Sequence, residues 1–325
     1  MRIGIAVVYM VSDRNGPLLD LHLQQIQENT DHPYTIYACV NELHPQFQGI
    51  LRENPHVKVC PCEPYPGGSV LWRPGTVQTP HNESVALESK YEHSWYLEQL
   101  IHAAIEDGVS HIAMFHVDSF PICRGWDTAL MSKFSDRCML AGVTRDAQRD
   151  QKPLTAGMLL TRDFYVRHQP RLLLSPEQFA SEDYRRFLAD HPHVSDSGVG
   201  YAFQMFMDGL TWHPLPRSNR GGNHALFASI HGDMVFHLHA TVYIERTKTP
   251  GFTIRLSQRR GLIGAVARGA CALLPLSLRR SVQHHVMPLL KTRCESMDRQ
   301  AWEEERRRLF ENPAGYIEYL RTGVC

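Results

Sequence analysis

The residues best suited to chemistry lie between Ser110 and Trp126, where the chain reads S-H-I-A-M-F-H-V-D-S-F-P-I-C-R-G-W. An apolar run short enough for a buried strand ends abruptly in His116 and Asp118, and Pro121 and Gly125 then break the regular structure. An imidazole and a carboxylate at i and i+2 at the mouth of a strand project to the same side, because strand side chains alternate. Both can hold a metal ion. In open α/β sheets, ligands bind at the carboxyl ends of strands, which is where this pair falls. A His-x-Asp pair can also do no more than hydrogen-bond a turn. A second candidate is His237 with His239, in the apolar stretch M-V-F-H-L-H-A-T-V, where period two again puts both on one face.

Elements able to position these groups follow from hydrophobic periodicity. Strands are expected at Ile3–Val11, Tyr34–Val40 (ending at Asn41-Glu42), Val57–Cys62, Ser110–Phe115, Met139–Val143 and Leu154–Thr161. Helical spacing marks Pro17–Asn29, Glu88–Asp107 (closed by Gly108), Trp126–Phe134 and Val199–Met207. Asp196 and Ser197 suit the N-cap of the last of these, and Asp208-Gly209 ends it before a short strand. Residues 64–82, rich in Gly and Pro, read as a long loop over a site. Strands alternating with helices imply crossover units, hence an α/β fold with a mainly parallel sheet flanked by helices. No Gly-x-Gly-x-x-Gly follows the first strand and no P-loop is present, which disfavours a dinucleotide-binding Rossmann domain and a P-loop NTPase.

With 325 residues, 43% of them hydrophobic and 21% charged, the chain has the size and composition of a soluble protein with an ample core. Its eight cysteines are scattered, and Cys60-Pro61-Cys62 has no second pair to complete a zinc site, so reduced thiols are expected. The apolar N-terminus lacks a small-residue cleavage site and runs into the first strand, unlike a signal peptide. A net charge of zero conceals an asymmetry. Residues 1–245 hold 19 Lys and Arg against 27 Asp and Glu; residues 246–294 hold ten basic and no acidic residues; residues 295–325 hold five against seven. Such a basic block beside an acidic domain points to a polyanionic surface.

Taken in order, these features resemble nucleotide-sugar glycosyltransferases of the GT-A fold, many of which carry a strand ending in Asp-x-Asp followed by Pro and Gly-Trp. F-H-V-D-S-F-P…G-W resembles that pattern with His116 at the first Asp and Asp118 at the second. The resemblance spans about residues 1–245. It implies a GT-A-like catalytic domain there, with 246–325 as a basic, mainly helical extension. It further implies a divalent cation, Mn2+ or Mg2+, held by His116, Asp118 and His239 or His237, balancing the charge of a diphosphate leaving group. Asp-Ser-Gly at 196–198 resembles the family segment that supplies a catalytic base, making Asp196 the first choice and Asp233 a weaker one. Asn41, Glu92, His93 and the Arg217 and Arg220 of the Gly-rich loop 217–224 fall where donor or acceptor contacts are expected, and ordinary surface roles explain them as well.

The implied partners are a nucleotide-sugar donor and a cell-surface glycan or lipid-linked acceptor, as in polysaccharide biosynthesis. Residues 253–280 combine an apolar run with flanking arginines and are broken by Arg268 and Pro275. They suit a segment lying on an anionic membrane surface better than a spanning helix, or else a helix packed on the catalytic domain. A cytoplasmic protein, peripheral on the inner face of the membrane, is therefore expected, with no nucleic-acid partner. Two other readings stand beside this one: a zinc metallohydrolase using His237, His239, Asp233 and His116, and an inactive GT-A-like binding protein.

Overall fold

The computed structural model describes residues 1–11, 16–40, 43, 45–66, 83–144, 152–191, 197–221, 228–238 and 303–324, with the backbone alone for 83–89. It forms two compact units, Met1–Asn219 with Ser229–His237, and Arg220–Ala228 with Leu238–Cys325. The boundary expected at residue 245 falls outside the described residues, as do Asn41, Asp196, His239 and the whole of 246–302.

The first unit is built on a seven-stranded sheet with the order β3-β2-β1-β4-β7-β6-β8. Its strands are β1 (Ile3–Val8), β2 (Tyr34–Cys39), β3 (Val57–Val59), β4 (His111–Met114), β6 (Cys138–Val143), β7 (Leu154–Thr161) and β8 (Thr211–Leu215). Pairings are parallel except those of β7, which runs antiparallel to both β4 and β6. The sheet is thus mixed but mostly parallel, as the alternation of strands and helices implies. Every residue of β1 is buried, as expected of a strand covered on both faces. Ile3, Ile5 and Val7 pack with Leu19, Leu23 and Ile26 of helix α1 (Gly16–Asn29), while α3 (Glu83–Glu106) lies against β1 and β2. Fully burying each such aliphatic side chain contributes about 1.5–3 kcal/mol.

From β1 the chain moves outward through β2 and β3, then returns to place β4 on the other side of β1. The strand order therefore reverses between β1 and β4, and their carboxyl ends border the crevice where open α/β sheets bind ligands.

Several elements differ from the periodicity reading. α3 begins at Glu83 rather than Glu88, and α4 (Trp126–Met131) is shorter than expected. Helices α2 (Pro45–Glu53), α5 (Arg162–His168), α6 (Pro176–Ala180) and α7 (Glu182–Asp190) precede α8 (Val199–Met207). Pro121 does not break structure: it ends a short strand, β5 (Ser119–Pro121), at the edge of a second sheet ordered β5-β10-β9. Proline is tolerated at such an edge because its missing N–H faces no ladder partner. β9 is Ser229–His231 and β10 is Val235–His237. Gly157 of β7 admits β10, since a Cβ there would lie 2.8 Å from Val235 Cγ1.

The second unit contains helical residues 303–311 and the helix Pro313–Thr322, with Leu309, Tyr316 and Leu320 buried and Arg308 over the Tyr319 ring at 4.7 Å. Among the described residues, no helix is long and apolar enough to cross a membrane.

Candidate functional site

Strand β4 stops at Met114, and the chain turns over His116–Ser119. The Ser119 amide donates to the His116 carbonyl at 2.9 Å, and the His116 amide donates to Ser119 Oγ at 2.8 Å. His116 and Asp118 converge because of this turn rather than through strand alternation. Ser119 then opens β5, whose antiparallel register sets His237 opposite Ser119 and so beside Asp118.

His116 Nδ1 lies 3.9 Å from Asp118 Oδ1, and His237 Nε2 lies 4.0 Å from the same oxygen. One ligand atom from each of the three residues lies within 4.8 Å of the other two. Ligand atoms this close together can converge on a single cation. Two imidazoles and one carboxylate form a donor set for Mn2+, Fe2+ or Zn2+, whereas Mg2+ prefers oxygen alone. The residues fit a divalent cation.

Around the triad the packing is dense. The His116 and His237 rings meet edge to face at 5.9 Å, and His93 of α3 does the same to His116 at 5.0 Å. Glu92, its neighbour, is fully buried. The α1 residue His22, also fully buried, directs Nδ1 at the Ser119 carbonyl at 3.0 Å. Burial lowers its pKa to about 4, against the raising effect of that hydrogen bond. This keeps His22 neutral, so Nδ1–H donates to the carbonyl and fastens the turn to α1. His231 is likewise buried, its pKa lowered to about 3 chiefly by burial and next by nearby His237.

The other described candidates have surroundings of their own. Asp233 sits in the β9–β10 turn with φ 57, its amide donating to Ser218 Oγ at 2.9 Å. It precedes β10 by two residues and His237 by four. Among the described residues, Asp233 is not one of the groups whose ligand atoms gather with His116, Asp118 and His237. Arg217 is exposed, and its backbone forms an isolated antiparallel β-bridge with His231. Arg220, in the second unit, donates from its backbone to the Leu320 carbonyl (2.8 Å) and from its guanidinium to the Arg321 carbonyl (3.1 Å) at the end of the last helix.

The helix expected at Val199–Met207 forms there, but its N-cap is Gly198, with φ 93 and no side-chain cap. Ser197 is turned elsewhere: its Oγ lies 3.1 Å from Thr155 Oγ1, which lies 3.1 Å from His116 Nε2. Sequence reading missed Thr155 entirely. Its only signal is a hydroxyl at the start of the apolar strand β7, and its place beside His116 depends on an antiparallel pairing with β4 that no local pattern reveals.

No protein-family profile and no curated protein match the chain. Solved structures similar to it include mouse xyloside xylosyltransferase 1 in its apo form, at 13% identity and a TM-score of 0.35, covering 66% of this chain and 85% of that one. A Drosophila β-1,4-galactosyltransferase 7 variant with manganese, UDP-Gal and xylobiose is similar at 12% identity and a TM-score of 0.34, covering 80% and 79%. A Pyrobaculum calidifontis mannosyltransferase with GDP-Man and Mn2+ is similar at 9% identity and a TM-score of 0.30, covering 61% and 55%. At scores of this size, functional assignment rests on the chain's own residues.

Proposed function

We propose that this protein is a GT-A-type glycosyltransferase that moves a sugar from a nucleotide-sugar donor to a glycan or lipid-linked acceptor. The observation that carries the reading is the His116–Asp118–His237 triad beside the carboxyl end of β4, at the strand-order reversal where α/β sheets bind ligands. A divalent cation held by these three residues would balance the charge of the diphosphate leaving group. His116 and His237 supply neutral donors, and Asp118 supplies the one anion. His93, in edge contact with His116, flanks the donor from α3, joined by Glu92, Asn41 and the basic residue Arg217. Asp196 adjoins Ser197, two hydrogen bonds from His116, and is the carboxylate assigned to accept the acceptor hydroxyl's proton.

Binding of nucleoside diphosphates and nucleotide sugars, measured by thermal shift with Mn2+, with Mg2+ and with neither, tests this reading. Stabilisation by a donor that requires Mn2+, and is weaker with Mg2+, is expected. Asp118→Ala should abolish both binding and transfer without unfolding the chain. Asp196→Asn should lower turnover by roughly a hundredfold or more with donor binding retained. Tight zinc binding without any nucleotide effect would favour the metallohydrolase reading, because two imidazoles and a carboxylate also make a catalytic zinc site. Nucleotide binding without transfer would favour a binding protein.

A further inference from the structure

We propose that Thr155 is a positioning residue that commits His116 to ligating through Nδ1 and extends the resulting hydrogen-bond direction to Ser197. This rests on reading His116, Asp118 and His237 as a metal site. A neutral imidazole carries one ring proton, and the nitrogen that binds a cation must be the one without it. In His116 the two nitrogens face different partners: Nδ1 faces Asp118 Oδ1 at 3.9 Å, and Nε2 faces Thr155 Oγ1 at 3.1 Å. Only the tautomer protonated on Nε2 leaves Nδ1 available.

Thr155 Oγ1 then accepts from Nε2–H, and its own hydroxyl proton is directed to Ser197 Oγ, 3.1 Å away. The reverse direction, Ser197 to Thr155 to a bare Nε2, would put the ring proton on Nδ1 and block the ligand atom. Thr155 and Ser197 are 2% and 7% exposed, so bulk water has little access to rearrange the chain. Two features of the fold hold the alignment. β7 runs antiparallel to β4, which brings its amino end to the turn after β4. Gly198, with φ 93, follows Ser197 directly and lets the backbone at 198 pass against the Pro153 carbonyl, where a Cβ would lie 2.3 Å from the oxygen. An outer partner that fixes a ligand histidine's tautomer commonly changes metal affinity by 10–100-fold.

The test uses the full chain and two readouts. Long-range 1H–15N correlation spectra of the metal-free protein at pH 8, with the His116 signals assigned by their absence in His116→Gln, should show the Nε2–H tautomer. Mn2+ titration of Thr155→Val, which removes the acceptor at nearly constant volume, should show affinity lowered by about 10–100-fold, while Thr155→Ser, which keeps the hydroxyl, stays within about threefold of the parent. An Nδ1–H tautomer in the parent chain, or Mn2+ affinity unchanged in folded Thr155→Val, overturns the proposal. If Thr155→Val does not fold, the parent tautomer and Thr155→Ser decide: a weakened Thr155→Ser overturns it. An Nε2–H tautomer in a chain that binds neither Mn2+ nor Zn2+ would overturn the metal reading of the site, and with it any ligating role for Nδ1, while leaving Thr155 as the group that sets the tautomer.

Discussion

In the proposed site His116 and His237 are neutral donors, so the charge available to hold a cation would be concentrated on Asp118, whose side chain is only 10% exposed. The groups that orient the triad consequently matter as much as the ligands. His22 is one of these, and its protonation state links the site to stability. Burial lowers its pKa to about 4 from the ordinary 6.5. The unfolded chain therefore binds more protons than the folded one below pH 6.5, so this contribution is complete above about pH 6.5 and is lost as the pH falls toward 4. About 2 kcal/mol of it should be gone by pH 5. Urea denaturation of the metal-free chain at pH 7 and pH 5 checks this: His22→Asn, which keeps a donor for the Ser119 carbonyl, should show a smaller pH difference than the parent by about that amount. Equal pH dependence in both would remove His22 from the account. His116 and Asp118 were legible as candidates because their types are unusual at the end of an apolar run, whereas period two could not separate His237 from His239, the residue the sequence slightly favoured. Thr155, Ser197 and His22 were not, since each is a common residue inside a regular element and acts only through a partner distant in sequence.

Among elements, the strands that read clearly were those with continuous apolar runs: β1, β2, β6 and β7 lie within two or three residues of their expected limits. β5 and β9 have three residues each, too short for periodicity to mark, whereas β10 falls in the apolar stretch M-V-F-H-L-H-A-T-V that period two marks; β5 and β10 carry Ser119 and His237 into the site. Short helices α5 to α7 escaped for the same reason. The N-terminus of α8 shows a different failure. Asp196-Ser197-Gly198 has the composition of a capped helix start, but tertiary packing draws the Ser197 hydroxyl to Thr155 and leaves the cap to glycine. A Cβ at position 198 would lie 2.3 Å from the Pro153 carbonyl oxygen, on a backbone with φ 93. Gly198→Ala should therefore lose about 1–3 kcal/mol of stability and weaken Mn2+ binding by displacing Ser197. Gly49→Ala, in α2 with nothing within 4 Å of the added methyl, should be neutral or stabilise by up to about 1 kcal/mol. Denaturant midpoints of the two variants compare these directly, and a Gly198→Ala chain as stable as the parent would show that the turn relaxes freely.

On the scale of the whole molecule, the strand-order reversal marks where an α/β sheet of this kind can bind a ligand, and the charge distribution along the chain supplies a separate prediction about surfaces. Residues 1–245 carry 19 basic against 27 acidic side chains, so this portion is repelled by an anionic surface. Residues 246–294 lie outside the described residues and carry ten basic side chains with no acidic one, around the apolar stretch L-I-G-A-V-A-R-G-A-C-A-L-L. A basic residue near an anionic bilayer contributes about 1 kcal/mol, an attraction screened within about 10 Å at 0.1 M salt. The apolar stretch adds the energy of burial at the headgroup boundary. Vesicles containing phosphatidylserine should accordingly sediment the full chain at low salt and release most of it at high salt, whereas a chain ending at Glu245 should stay in the supernatant. Purely zwitterionic vesicles should bind the full chain weakly at any salt concentration. Such binding would hold the active site beside a membrane-embedded acceptor and favour a lipid-linked glycan over a free one. A full chain that ignores anionic vesicles, or a truncated chain that becomes insoluble because its core is exposed, would instead mark residues 246–294 as a structural part of the fold.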